Sequence, residues 1–220
     1  MSGSNRSAAE AWSGVQDGLL SGIGHALNNR AASVSALAQV LSVTHPSDAM
    51  GATLGGEAER LEETIALLRL LVRRWESAPE PVQLPETLAD VQRLMRHHSG
   101  FREIAFTQSV EPGVLPIWTE PSSLLHGLCM VVGCAARGAE RSGRAGVRIR
   151  CHGNSRVSAV EVTAAGDQDS AGNATLAGAN VLIESIGGVL RSECEADERR
   201  LQIEFPTLPE VRRMERDALL

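Results

Sequence analysis

Residues 22–37 read GIGHALNNRAASVSAL, a run of small and apolar residues interrupted by one imidazole, two carboxamides and one guanidinium. If the run is helical, His25 and Asn29 stand one turn apart on one face, with Gly22 a turn before and Asn28, Arg30, Ala32 and Ser33 close by. An imidazole in water is largely neutral at pH 7 and attacks phosphorus without a neighbouring base, whereas a serine needs one. The chemistry that suits His25 is acceptance of a phosphoryl group. It requires the ring to face outward.

The elements that position it follow from periodicity. No proline falls between residues 8 and 44, and Leu20, Gly24, Leu27, Ala31, Val34, Ala38 and Leu41 recur at three-four spacing, which predicts one long helix. At about 100° per residue His25 lies about 200° from Leu27, away from that seam and toward water. His45-Pro46-Ser47-Asp48 breaks the helix. Leu54, Ala58, Leu61, Ile65, Leu68, Val72 and Trp75 then repeat the spacing, so the second helix folds back as a hairpin. Two such stripes exceed what one hairpin can cover, and a four-helix bundle made by two chains buries both; packing of the hairpin on its own C-terminal region is the alternative. The residues around His25 are too small to block a visiting protein. Gly22 and Gly24 each cost about 1 kcal/mol of helix propensity relative to alanine, and access for a partner is the offsetting reason expected here.

With 43% hydrophobic residues, 22% charged and no Tyr, the chain has the composition of a soluble globular protein whose core is mainly aliphatic. A formal charge of −6 argues against nucleic-acid or anionic-membrane partners, and no window has the roughly 18 uninterrupted apolar residues of a membrane helix, so a cytoplasmic location is expected. Cys129, Cys134, Cys151 and Cys194 include no C-x-x-C pair and read as reduced packing residues, with no metal site. Three prolines in ESAPEPVQLPE mark a linker at 78–86, between a helical hairpin at 1–77 and a second domain at 87–220. In that domain helices are predicted over 87–97, 122–138 and 176–186, strands over 104–110, 147–152, 157–164, 189–193 and 200–205, and a short charged helix at the end. The fold class is α+β, with helices over one face of a mixed sheet.

These residues carry a resemblance. HALNNRAASVSAL is similar to the H-box of the sensor histidine kinases, commonly His-Glu-Leu-Asn-Asn-Pro-Leu, and EAERLEETIALLRLLVRR sits where those kinases have the second hairpin helix. LLHGLCMVVGCAARGAE sits where they have the N-box helix, VSAVEVTAAGD where a strand enters their glycine-rich turn, and LAGANVLIESIGGVLRSECE where a helix and a Gly-Gly strand close the domain. The resemblance runs from about 19 to 206 and implies a dimeric four-helix bundle followed by a degenerate ATPase-type α/β sandwich.

The departures bear on function. The N-box asparagines that serve magnesium and nucleotide fall at Met130 and Cys134, whose soft or apolar side chains do not suit a hard cation. The adenine-binding aspartate falls at Ala164, with Asp167 or Asp169 reachable only by shifting the register. The acid that follows the kinase histidine is Ala26 here. What the resemblance then implies is a histidine phosphotransferase of the ChpT type: a homodimer that takes phosphate on His25 from the aspartate of a response-regulator receiver domain and passes it on. It needs no cofactor of its own, because Mg²⁺ arrives with the receiver. Asn29 matches the position from which bifunctional kinases orient water to remove phosphate from a receiver, or is a plain surface residue. Gly22, Asn28, Arg30, Ala32 and Ser33 are the expected receiver contacts. A catalytically silent pseudokinase scaffold, a receiver phosphatase and an ATP-dependent kinase are the rival expectations.

Overall fold

The computed structural model describes residues 3–43, 48–71, 78–144, 146–166, 170–195 and 197–218. Two helices, α1 (Gly3–Val43) and α2 (Asp48–Leu71), pack along one another and are tied across by Arg30, which donates to Glu57 at 3.1 Å. Val72 and Trp75, the last two positions of the predicted second seam, and Leu41 at the end of the first lie outside the residues whose side chains are described.

The remainder is the predicted α+β layer. In chain order it comprises β1 (Glu80–Val82), α3 (Leu84–His97), β2 (Ala105–Val110), β3 (Ile117–Thr119), α4 (Pro121–Ser142), β4 (Gly146–Gly153), β5 (Val157–Ala165), α5 (Ser170–Ser185), β6 (Val189–Glu195), β7 (Glu198–Pro206) and α6 (Leu208–Asp217). The main sheet has the order β2-β4-β5-β7-β6, parallel between β2 and β4 and antiparallel elsewhere. Along β4 the side chains alternate: Val147, Ile149 and Cys151 are buried, whereas Arg148 and Arg150 point to solvent. In register with them, Ile149, Val162 and Leu201 form an apolar row that faces the helices. The opposite face is polar and carries the ion pair of Arg191 with Glu204 at 3.0 Å.

The central helix of this layer is α4. Glu120 caps its first turn by accepting from the backbone N–H groups of Ser122 and Ser123, and every residue from Ser122 to Ala136 is buried. A helix that is apolar all round must be wrapped on all sides. The sheet covers one side and α3 and α5 cover two others.

The first half of α1 completes the wrapping, and here the expected seam needs correction. Trp12, Val15, Leu19 and Ile23 are buried against α3, α4 and α5 of the same chain, with Trp12 4.2 Å from the ring of His126. The seam read from Leu20 onward lies about 100° further round, and Leu20 keeps 41% of its surface exposed. The alternative of hairpin packing on its own chain is therefore realised over the first half of α1. Two further expectations change. Residues 78–86 are not a free linker, since Glu80–Val82 pairs with Ile117–Thr119 and Leu84 is fully buried at the start of α3. Cys194 is exposed rather than packed, unlike the other three thiols.

Two glycines set the approach of α1 to the rest. The backbone at His97–Ser99 runs directly over Gly18 and Gly22, and the Ser99 N–H donates to the Gly18 carbonyl at 3.1 Å. A Cβ on Gly22 would collide with the His97 carbonyl, and one on Gly18 with the His98 ring. Gly22 is thus a close-packing residue, not a gap left for a visitor. Gly22→Ala is expected to lower stability by about 1–3 kcal/mol, because the obstruction is backbone and cannot rotate away. Gly14→Ala, at an exposed helical site with no atom nearby, is expected to raise it by about 1 kcal/mol. Opposite signs in urea unfolding check the contact.

Candidate functional site

His25 is exposed on α1, as its spacing predicts. With Gly22, Ala26, Asn29 and Arg30 it makes one wall of a cleft of about 350 Å³, the stripe that positions i, i+3, i+4, i+7 and i+8 draw along a helix. Asn28, Ala32 and Ser33 are exposed but do not line the cleft, and the Ser33 hydroxyl donates back to the Asn29 carbonyl at 3.1 Å.

The other wall is made by residues that sequence reasoning missed: Arg96 and His97 from the last turn of α3, and Arg102 just beyond it. The turn that aims them is anchored at several points. His98 leaves the helix with an extended backbone, its Nδ1 accepts from the Gly100 N–H at 3.1 Å, and its ring stacks on buried Phe101 with centroids 3.8 Å apart. Arg96 and Arg102 flank this anchor and stay exposed. The sequence signal was the basic ending RLMRHHSGFR of an amphipathic helix, but its nearness to His25 depends on a contact between segments about 75 residues apart.

Charge in the cleft is uneven. Arg30 is paired with Glu57, which also takes Arg60 at 2.5 Å; burial pushes the Glu57 carboxyl up, but the hydrogen bonds from Arg30 and Arg60 outweigh it and hold the group below the usual carboxylate range. Among the described residues, Arg96 and Arg102 have no acid within ion-pair distance. His97 is pulled down from its ordinary value by burial and by Arg30, which favours its neutral ring. The result is a nucleophilic imidazole beside guanidinium groups, an arrangement suited to an anion that carries phosphorus. Among the described residues no three His, Cys, Asp or Glu side chains gather as metal ligands.

The positions expected to form a degenerate nucleotide site lie elsewhere, inside the core. Met130, Cys134 and Ala164 are 0%, 1% and 3% exposed, and the Cys134 thiol donates to the Gly172 carbonyl at 3.3 Å. Ala164 lies on β5 opposite buried Val147.

This fold is that of the histidine-kinase catalytic domain, preceded by a helical hairpin. Over 143 residues, 63% of its length, the chain is 26% identical to the sensor histidine kinase ZraS of Klebsiella oxytoca, and it spans 31% of that relative. The catalytic domain of the histidine kinase ThkA superposes with a TM-score of 0.51 at 17% identity, covering 61% of this chain and 99% of that one. Full-length ShkA, solved with AMPPNP, gives 0.50 at 18% identity over 84% of this chain and 45% of its own. No family model matches the chain.

Two buried histidines at the joint between α1 and the sheet domain respond to acid. Burial pulls His98 down to about 4, with Arg137 adding to the effect, and pulls His126 down to about 4 against an opposing pull from Glu120. Both take up a proton in the unfolded chain near pH 6.5 but in the folded chain only near pH 4, so stability is lost as pH falls through that window. The expected loss is up to about 1.4 kcal/mol per pH unit for each histidine. A urea midpoint that stays flat from pH 7 to 4.5 contradicts this.

Proposed function

We propose that the protein is a histidine phosphotransferase of a two-component phosphorelay, accepting phosphate on His25 from a receiver-domain aspartate and handing it to another receiver. The observation that carries the reading is an exposed His25 on an arginine-lined cleft, while the positions used for magnesium and adenine in the kinases it resembles hold Met130, Cys134 and Ala164, all buried.

The step needs little from this chain beyond a placed nucleophile. A lone pair on an imidazole nitrogen of His25 attacks phosphorus, the P–O bond to the receiver's aspartyl carboxylate breaks, and the carboxylate leaves with the electrons of that bond. The other ring nitrogen keeps its proton. Onward transfer is the same exchange in reverse with a second aspartate. Among the described residues the cleft is lined by cationic groups and no acid, Glu57 reaching it only through its pair with Arg30, so it suits the phosphoryl oxygens rather than a metal. Mg²⁺, which neutralises charge on those oxygens, belongs to the receiver.

Asn29 lines the same cleft one turn from His25, which favours a second use of the site: holding a water against a receiver's aspartyl phosphate. The apolar surface left by one chain supports a homodimer, since Leu20, Val40 and Ile65 along the hairpin are 41%, 44% and 38% exposed.

Incubation with a phosphorylated receiver tests the reading. The expected result is acid-labile, base-stable label on the wild type and none on His25→Ala. A receiver that binds tightly and leaves no label identifies a scaffold, and self-labelling from Mg²⁺ and ATP identifies a kinase; either outcome overturns the proposal.

A further inference from the structure

The cleft beside His25 has two walls of different character. The α1 wall supplies the imidazole and a carboxamide, with small residues between them. The wall from the end of α3 supplies guanidinium groups, and two of the three arginines in the cleft lack an acidic partner among the described residues. This local excess of positive charge stands on a chain whose formal charge is −6, so it is not a by-product of composition. Nor is it free to drift. The last turn of α3 is pinned to α1 through the Ser99–Gly18 hydrogen bond and the contact of the His97 carbonyl with Gly22, and Arg30 is held from α2 by Glu57.

The size of the cleft narrows the ligand. A cleft of about 350 Å³ has room for a phosphoryl group and the side chain that delivers it. Planar guanidinium forks match the oxygens of a phosphoryl group in pairs, which a single ammonium does not.

We propose that the end of α3 is the phosphoryl-binding half of the acceptor site, with Arg96 and Arg102 donating hydrogen bonds to the oxygens of the group carried on His25. The assignment rests on His25 being the acceptor. It adds that the ATPase-type domain, with the kinase nucleotide positions buried in its core, takes part in transfer by presenting fixed cations to the phosphoryl group, first as it arrives and then while it is held.

The test uses the full chain and a small donor, phosphoramidate, so that no receiver surface is involved. Label on His25 is followed by ³¹P NMR in wild type, Arg96→Ala, Arg102→Ala, the double variant and the matching lysine variants. Each alanine is expected to slow labelling about tenfold, the lysines to restore part of it, and added salt to slow the wild type more than the double variant. Inorganic phosphate is expected to compete with the donor in the wild type and not in the double variant. Both side chains are exposed and, among the described residues, have no ion-pair partner, so urea unfolding of the variants should match wild type and separates a site effect from a folding defect.

A double variant that labels at the wild-type rate and still responds to inorganic phosphate overturns the subsite while leaving His25 as acceptor. Slowing seen only with a phosphorylated receiver also overturns it, because the arginines would then be docking the receiver's surface. If His25 takes no label from either donor, the acceptor reading fails instead. Phosphate binding by the wild type that the double variant loses would still support the anion subsite.

Discussion

The structure depends on one close approach: the backbone at the end of α3 lying on α1 over Gly18 and Gly22. A side chain at either position would hold the two segments apart. Without that contact the hairpin and the sheet domain would meet mainly through Trp12, Val15, Leu19 and Ile23, a greasy stripe that tolerates sliding. With it, a backbone hydrogen bond and two glycine contacts fix the register. Apolar burial supplies most of the free energy, and the glycines supply the geometry.

That geometry sorts α1 into three faces. One stripe goes into the core of its own chain. A second, about 100° away, leaves Leu20 exposed. The third carries His25 and Asn29 and meets the arginines of α3. The same anchoring holds the end of α3 beside His25. Met130, Cys134 and Ala164 are buried within the sheet domain itself, away from this face of α1.

The long helices were legible because their apolar spacing repeats over many turns, and the strands β4 and β7 because each buries one face in alternation; β5, at the centre of the sheet, buries residues of both faces. The exposure of His25 followed from the same arithmetic. Other features were not local. Trp12, Val15, Leu19 and Ile23 obey helical spacing as well as the seam beginning at Leu20 does, and only the partner surface decides which stripe is covered first. β1 and β3 have three residues each and take their identity from pairing with one another, while the prolines at 79, 81 and 85 imitate a linker. Arg96 and Arg102 read as ordinary solvated charge at a helix end until the fold of α3 onto Gly22 brings them to His25. Gly22 shows the general difficulty: its helix-propensity cost was visible, but the reason for it was a neighbour about 75 residues away.

The most direct measurement is native-state hydrogen exchange at the Ser99 amide, whose proton lies in the hydrogen bond to Gly18. If the end of α3 is locked to α1, this amide, though it sits in an exposed turn, exchanges only with global unfolding and slows as stability is raised. Exchange at the rate of an open loop, unaffected by global stability, would mean that the two walls of the cleft part freely and that His25 has no fixed cationic partner.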